Sequence, residues 1–432
     1  MYFSIVEMLE MFFECYSKYF YTFYNFEPNL KIYMPMKKFV VSVLAMCALV
    51  GCERDRVENT GLVVVRIRVD IPENADVSQV KVEWRNRTTG MVYTTVTDNN
   101  GVAECEVEPG IYRVTGQKRS VEELENREEL FSGSLEEVTV RNIGVDTMMV
   151  LNRVQLSRLV VKEIYYAGCY TDEGVPYQND GYVSLYNNSA DTLWLDGICV
   201  GIAGPASASA ESEWLRDNPE LPEVPIYRCG WQFRGQGHDY PLLPGHEVIL
   251  AVNAVDHTAG EYGHSQSVDL SGADWAFYRS DFNPEFSAIT PGVKTFSLFW
   301  LNWIGVLPPT FSLGSSGPGL VVYRMEGEAE EYARTHTKYT PGRPEKPSFM
   351  YLTIPREWVL DYVECVGREQ EVGNKRVPAV LDKSAIFVRE GIWSGKALHR
   401  KKAQEIDGRI VYQDTNDSAN DFYEDVPSLK RK

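Results

Sequence analysis

Between residues 60 and 152 apolar and polar positions alternate along the chain. Val63, Val65, Ile67, Val69 and Ile71 fall on one side and Arg66, Arg68 and Asp70 on the other. This period of two predicts a strand with one buried and one wet face. Val80, Val82 and Trp84 repeat the pattern against Lys81, Glu83 and Arg85. Asp98-Asn99-Asn100-Gly101 marks a turn, because Asn and Gly tolerate positive φ. Strands are expected next on Ala103, Cys105 and Val107 and, after Pro109-Gly110, on Tyr112 and Val114. Short strands at this spacing predict a small β-sandwich over 60–152. The acidic stretch Val121 to Glu129 reads as a solvated loop or short helix.

Strands continue beyond it, on Leu159–Tyr166, Asp180–Asn188, Asp191–Gly197, Leu243–Ala251, Gly319–Arg324 and Lys383–Glu390. No long helical periodicity interrupts them. The chain has 432 residues, too many for one ordinary core. The expected fold class is therefore all-β, with two β-sandwich domains in tandem. The second would span 157–432.

The amino-terminal part carries an address. Met36-Lys37-Lys38 is followed by an apolar run from Phe39 to Val50 and then by Leu49-Val50-Gly51-Cys52. A basic start, a short apolar core and small residues before a cut describe a secretory signal, too short to span a bilayer. Its last four residues resemble the bacterial lipobox, which implies lipidation of Cys52 and a signal peptide over 36–51. Residues 52–59 become a lipidated tether. Residues 1–35 lie upstream of a complete signal and read as an upstream-start artefact. The net charge of -18 arises after residue 51, since the first 51 residues hold four Glu, four Lys and no Asp or Arg. Such a surface repels phosphate backbones and argues against nucleic-acid binding. After Cys52 come Cys105, Cys169, Cys199, Cys229 and Cys365, with no CxxC pair, so no zinc ribbon is indicated. A bridge among Cys169, Cys199 and Cys229 is permitted by an oxidising compartment.

Two stretches resemble known families. T-D-N-N-G-V-A-E-C-E-V-E-P-G-I-Y-R-V, ending at Val114, resembles carboxypeptidase-regulatory, transthyretin-like modules. The order K-E-I-Y-Y, D-G-Y-V-S-L-Y-N-N, L-W-L-D-G, L-P-G-H-E-V-I-L, closing on His399-Arg400-Lys401-Lys402 and D-T-N-D-S-A-N-D-F, resembles a lamin-tail-type, immunoglobulin-like domain. Ser184 stands where that family more often has Glu, and this domain is far longer than a bare lamin tail, so the resemblance implies long insertions between the framework strands at about 203–240 and 256–318. A lipoprotein ending in such a domain also resembles a Bacteroidetes lipoprotein family known as a domain of unknown function (number 4876). The resemblance implies a location in the outer membrane, on the cell surface or the periplasmic face. It also implies docking to an outer-membrane TonB-dependent transporter, and it carries over no catalytic residue.

The insertions are the candidate functional surface, because loops on a rigid sandwich commonly carry binding. Trp275, Phe277, Tyr278, Trp300 and Trp303 would stack on a small molecule or glycan if exposed, and otherwise build the insertion's own core. No enzymatic motif emerges. Gly314-Ser315-Ser316-Gly317 lacks the spacing of a lipase elbow. His246-Glu247 is followed by Leu250 where a zincin needs its second His. Asp414, Asn416, Ser418 and Asp425 fit a calcium-loop count, but Ala419 sits where the sharp turn needs Gly. No metal and no cofactor are expected. His257 and His264, with Asp256 and Glu261, have the donor types to gather a metal but read more readily as surface polar residues, and an unrecognised hydrolase would need a polar cluster with His257 or His264 facing a cleft. The expectation is thus a membrane-anchored, non-enzymatic ligand-binding or docking lipoprotein, with a structural or adhesive lipoprotein as the alternative.

Overall fold

The computed structural model describes residues 61–72, 75–122, 126–260, 263–280, 289–303, 305, 311–406 and 408–430. The signal-like segment, Cys52 and the tether lie outside the described residues. Val63 onward forms one compact unit. It is all-β, with only short helices, and among the described residues no helix is long and apolar enough to cross a membrane.

The first sandwich is built from β1 (Val63–Asp70), β2 (Lys81–Asn86), β3 (Val92–Val96), β4 (Val102–Val107), β5 (Gly110–Glu122), β6 (Arg127–Val140), β7 (Asp146–Val150) and β8 (Asn152–Ser157). A sheet β4–β1–β7 faces a sheet β3–β2–β5–β6–β8. The alternation seen in the sequence is the cause. Val65, Ile67 and Val69 from β1 meet Val80, Val82, Trp84, Tyr112 and Val114 in one core, while Arg66 and Arg68 stay outside. β8 pairs with β6, which carries this module to Ser157. The described parts of the acidic stretch are not helical. Its two ends are strands of the long β5–β6 hairpin, and Glu128 is buried against Arg119, which neutralises it. The charge run thus includes an inward position of a strand.

The second sandwich has two larger sheets. One runs β19 (Lys294–Thr295), β18 (Trp275–Ala276), β17 (Glu247–Ala251), β12 (Tyr182–Asn187), β9 (Leu159–Tyr165), β25 (Ala397–Arg400), β28 (Phe422–Asp425). The other runs β22 (Thr337–Tyr339), β23 (Met350–Pro355), β15 (Glu223–Gln232), β14 (Ile198–Ala203), β21 (Gly319–Arg324), β24 (Val359–Glu364), and β20 (Ser297–Leu301) also pairs with β15. Three small ribbons complete it: β10 (Cys169–Tyr170) with β11 (Pro176–Tyr177), β13 (Leu193–Trp194) with β16 (Pro241–Leu242), and β26 (Lys402–Ile406) with β27 (Arg409–Tyr412). Val161, Ile164, Val183, Leu185 and Leu250 from the first sheet interdigitate with Val200, Trp231, Val322 and Val363 from the second.

Three further expectations change. β15 lies inside the segment read as the first insertion, yet it is a ten-residue strand at the heart of its sheet. It is buried on both faces, and Pro225 and a left-handed Arg228 (φ 60°) break its period, so alternation does not reveal it. Lys383–Glu390 is not a strand. Only Ile386 bridges, to Cys365, because Asp382 takes the backbone N–H of Ser384 at 3.1 Å and bends the chain. Cys169, Cys199 and Cys229 are all free thiols, and burial pushes each of them up, which keeps them unreactive.

Candidate functional site

The two sandwiches are bolted together at one seam. Asn126 sits at the end of the β5–β6 hairpin turn in left-handed conformation (φ 53°), which Asn tolerates better than most residues. Its Oδ1 accepts from the N–H of Leu159 at 3.0 Å, and its Nδ2 donates to the carbonyls of Leu159 at 3.0 Å and Leu360 at 2.8 Å. Arg119 adds a fork, to Glu128 within the hairpin and to Asp191 of the second sandwich at 2.7 Å. Beside this seam lies a cleft of about 270 Å³. Arg127 and Ser157 come to it from the first sandwich. Arg356, Glu357, Val359, Leu360, Asp361, Tyr362, Val380, Leu381 and Asn416 come from the second. Val380 is 55% exposed, a large apolar side chain at the rim.

Asp361 in the cleft lining belongs to a buried charge cluster. Arg400 Nη2 donates to Asp361 Oδ2 at 2.7 Å and Nη1 to Asp414 Oδ1 at 2.9 Å. Its Nε reaches the carbonyl of Val161 at 2.7 Å, and its guanidinium lies 4.6 Å from the centroid of the Phe422 ring. Asp361 also accepts the N–H of Val161 at 2.6 Å. The cluster therefore ties β24 of one sheet to β9 and β25 of the other. Burial pushes the Asp361 carboxyl up to about 7 against the pull of Arg400, and the charge of Asp414 adds to the push.

The aromatics proposed as a stacking platform are not gathered into one. Trp275, Phe277 and Trp300 are buried. Trp275 packs edge-on against Phe233 (4.8 Å between centroids) and Tyr240 (4.8 Å), and Phe277 stacks on Phe296 (4.7 Å). These rings fill the space between the two sheets, where each gains far more from burial than from an exposed face. Trp300 belongs to a second apolar cluster with Phe299 and Trp214. Tyr278 and Trp303 are half-buried, and Arg228 lies over the Trp303 ring at 4.2 Å.

His257 and His264 do come together, both edge-on to the ring of Tyr177 at 5.6 and 4.4 Å. His257 Nε2 lies 2.9 Å from the carbonyl of Asn253, which can only accept, so Nε2 carries the proton. Nδ1 then accepts from the Tyr177 hydroxyl at 2.6 Å. Burial lowers this imidazole to about 4 from 6.5. Among the described residues no three His, Cys, Asp or Glu side chains are placed to hold a metal.

The sign of the pH effect follows. A histidine depressed in the folded state contributes stability that is complete above 6.5 and lost as pH falls from there to about 4. We expect urea unfolding of the native chain to lose about 2 kcal/mol relative to His257→Gln between pH 7.5 and 4.5. Equal slopes for the two proteins would refute a neutral buried imidazole.

Sequence reasoning missed Asn126, Asp361 and Arg400. The available signal was a lone ionisable residue beside or within an apolar run, as in V-L-D-Y-V around Asp361.

The fold and cleft define an all-β protein of two tandem sandwiches. The family model for a protein of unknown function (DUF4876) matches residues 243–428. The crystal structure of a DUF4876 family protein from Bacteroides thetaiotaomicron is similar at 27% identity and a TM-score of 0.72, over 85% of this chain and 97% of that one. A candidate adhesin from Bacteroides ovatus overlaps 36% of this chain and 58% of its own, at 13% identity and a TM-score of 0.18. No curated protein matches the chain.

Proposed function

We propose that this chain is an exported lipoprotein, held to the outer membrane by a lipid on Cys52, that acts without catalysis as a docking accessory to an outer-membrane transporter. The observation that carries the docking role is the cleft at the seam of the two sandwiches. Sites prefer such junctions, and small-molecule pockets usually enclose roughly 300–1,000 Å³. At about 270 Å³ this one suits a projecting side chain or loop of a partner better than a whole ligand. Arg127 and Arg356 are balanced by Glu357 and Asp361, and Arg356 already donates to the Glu220 carbonyl, so the lining suits a polar, hydrogen-bonding segment, while Val380 with Leu381 supplies the apolar contact. The likeness of the second sandwich to lamin-tail-type domains, which bind diverse partners, supports docking over chemistry. The lipobox-like Leu49-Val50-Gly51-Cys52 supports the anchor.

The test is recovery of the full-length lipoprotein from gently solubilised native membranes, with co-purifying proteins identified by mass spectrometry. A transporter is expected in stoichiometric amount, and Val380→Arg is expected to reduce its recovery at least tenfold. Recovery of the lipoprotein alone would refute transporter docking and leave adhesion or independent ligand binding as the role.

A further inference from the structure

The first sandwich has two ends, and the strand pairings assign what lies at each. The Asn126 turn and the step from Ser157 to Leu159 put the second sandwich at one end. At the other, β1 begins with Val63, which pairs with Val107 at the close of β4. The turn after β6 returns to the same place, because the Arg66 N–H donates to the Val145 carbonyl at 2.7 Å. So does the β2–β3 turn, because Arg87 donates its N–H to the carbonyl of Ile111 at 2.8 Å, and Ile111 opens β5. This end carries large apolar side chains that are exposed. Ile143 is 81% exposed, Met91 48%, Val92 42% and Ile111 40%. A lone exposed apolar residue is ordinary, but four on the turns and strand ends of one end of a sandwich give that end an apolar character.

We propose that this end rests on the lipid surface, with Ile143 and Met91 reaching into its apolar margin. The inference depends on the anchoring of Cys52. Ten residues, 53–62, separate that cysteine from Val63. Fully extended they reach at most about 36 Å, so this end is held over the bilayer at an effective concentration on the order of millimolar. At that concentration a contact too weak to recruit a free protein still sets the orientation of a tethered one. Arg87 and Arg113 at this end are paired with Glu137 (3.7 Å) and Glu136 (3.2 Å), so the contact is apolar and not a basic patch seeking anionic lipid. The first sandwich then stands on the membrane as a spacer and carries the second away from it.

The full-length lipidated chain would be reconstituted into phosphatidylethanolamine vesicles carrying nitroxide-labelled lipid. An environment-sensitive fluorophore is placed at Ile143→Cys in one sample and at Val380→Cys in another, both with Cys105→Ser. The expected result is a blue shift and at least threefold stronger quenching at position 143 than at 380, unchanged by 0.5 M salt. Flotation with the vesicles, compared with Cys52→Ala, reads the anchor separately. A chain that floats but quenches equally at both positions overturns the contact and leaves the anchor standing. A chain that does not float overturns the anchor and the contact with it.

Discussion

Replacing Arg376 by methionine is expected to cost the second sandwich about 3–5 kcal/mol, because it removes one partner of a buried ion pair. Arg376 and Glu364 both have fully buried side chains. The guanidinium uses its whole fork. Nε donates to the Pro205 carbonyl at 2.7 Å, Nη1 to Glu364 and to the Cys365 carbonyl at 3.0 Å, and Nη2 to the carbonyls of Gly317 at 2.7 Å and Ala206 at 3.2 Å. Three separate chain segments are thereby fastened to the end of β24. Without the guanidinium four carbonyls lose a donor and Glu364 is left without its cation in a dry interior. Lysine is no substitute, since a point charge cannot span this planar array. The double variant Arg376→Met with Glu364→Gln should recover part of the loss. The introduced amide is neutral, and its oxygen can still accept from the Tyr362 hydroxyl, which now lies 3.0 Å from Glu364. Denaturant midpoints of the three proteins measure both effects. A single variant within 1 kcal/mol of the native chain would show that the pair is dispensable.

How far the sequence foretold this fold depends on which faces were wet. β1 and β2 show alternation because one side of each meets solvent, and they were legible at once. β12 was legible only in part. The strand itself was evident, but not that both its faces are buried: Tyr182 is covered by the tail through Glu163 and Ser428, and Tyr186 by the β26–β27 ribbon. β15 was hidden altogether, since a strand buried on both sides loses the polar half of its period. The site was less legible still. Arg127 and Arg356 lie far apart in sequence and meet only through the seam. The aromatic run from Trp275 to Phe311 suggested either a platform or a core, and only the position of Trp231 and Phe233 opposite it decides for core.

The second large effect is expected at Arg400, and it should depend on pH. Arg400→Met leaves Asp361 and Asp414, both nearly inaccessible, without their shared cation. In the native protein burial already pushes Asp361 up to about 7, against 3.8 when unfolded. The folded state thus takes up this proton first as pH falls, so this group adds stability on going from about 7 towards 4 and removes it on the way back up. Removing the guanidinium takes away the main force holding the carboxyl down. The deficit of the variant should therefore be about 3–5 kcal/mol at pH 8 and smaller by at least 1 kcal/mol at pH 5.5, where a protonated Asp361 carboxyl needs no cation. Asp361→Asn in the same background should flatten that difference, because it holds the position neutral at every pH. Since Asp361 also lines the cleft, the same titration tests the site: if partner recovery by Arg400→Met falls at pH 8 and returns at pH 5.5, the charge cluster shapes the docking surface. A deficit independent of pH would mean instead that Arg400 acts through its packing on Phe422 and that the carboxylates find other partners.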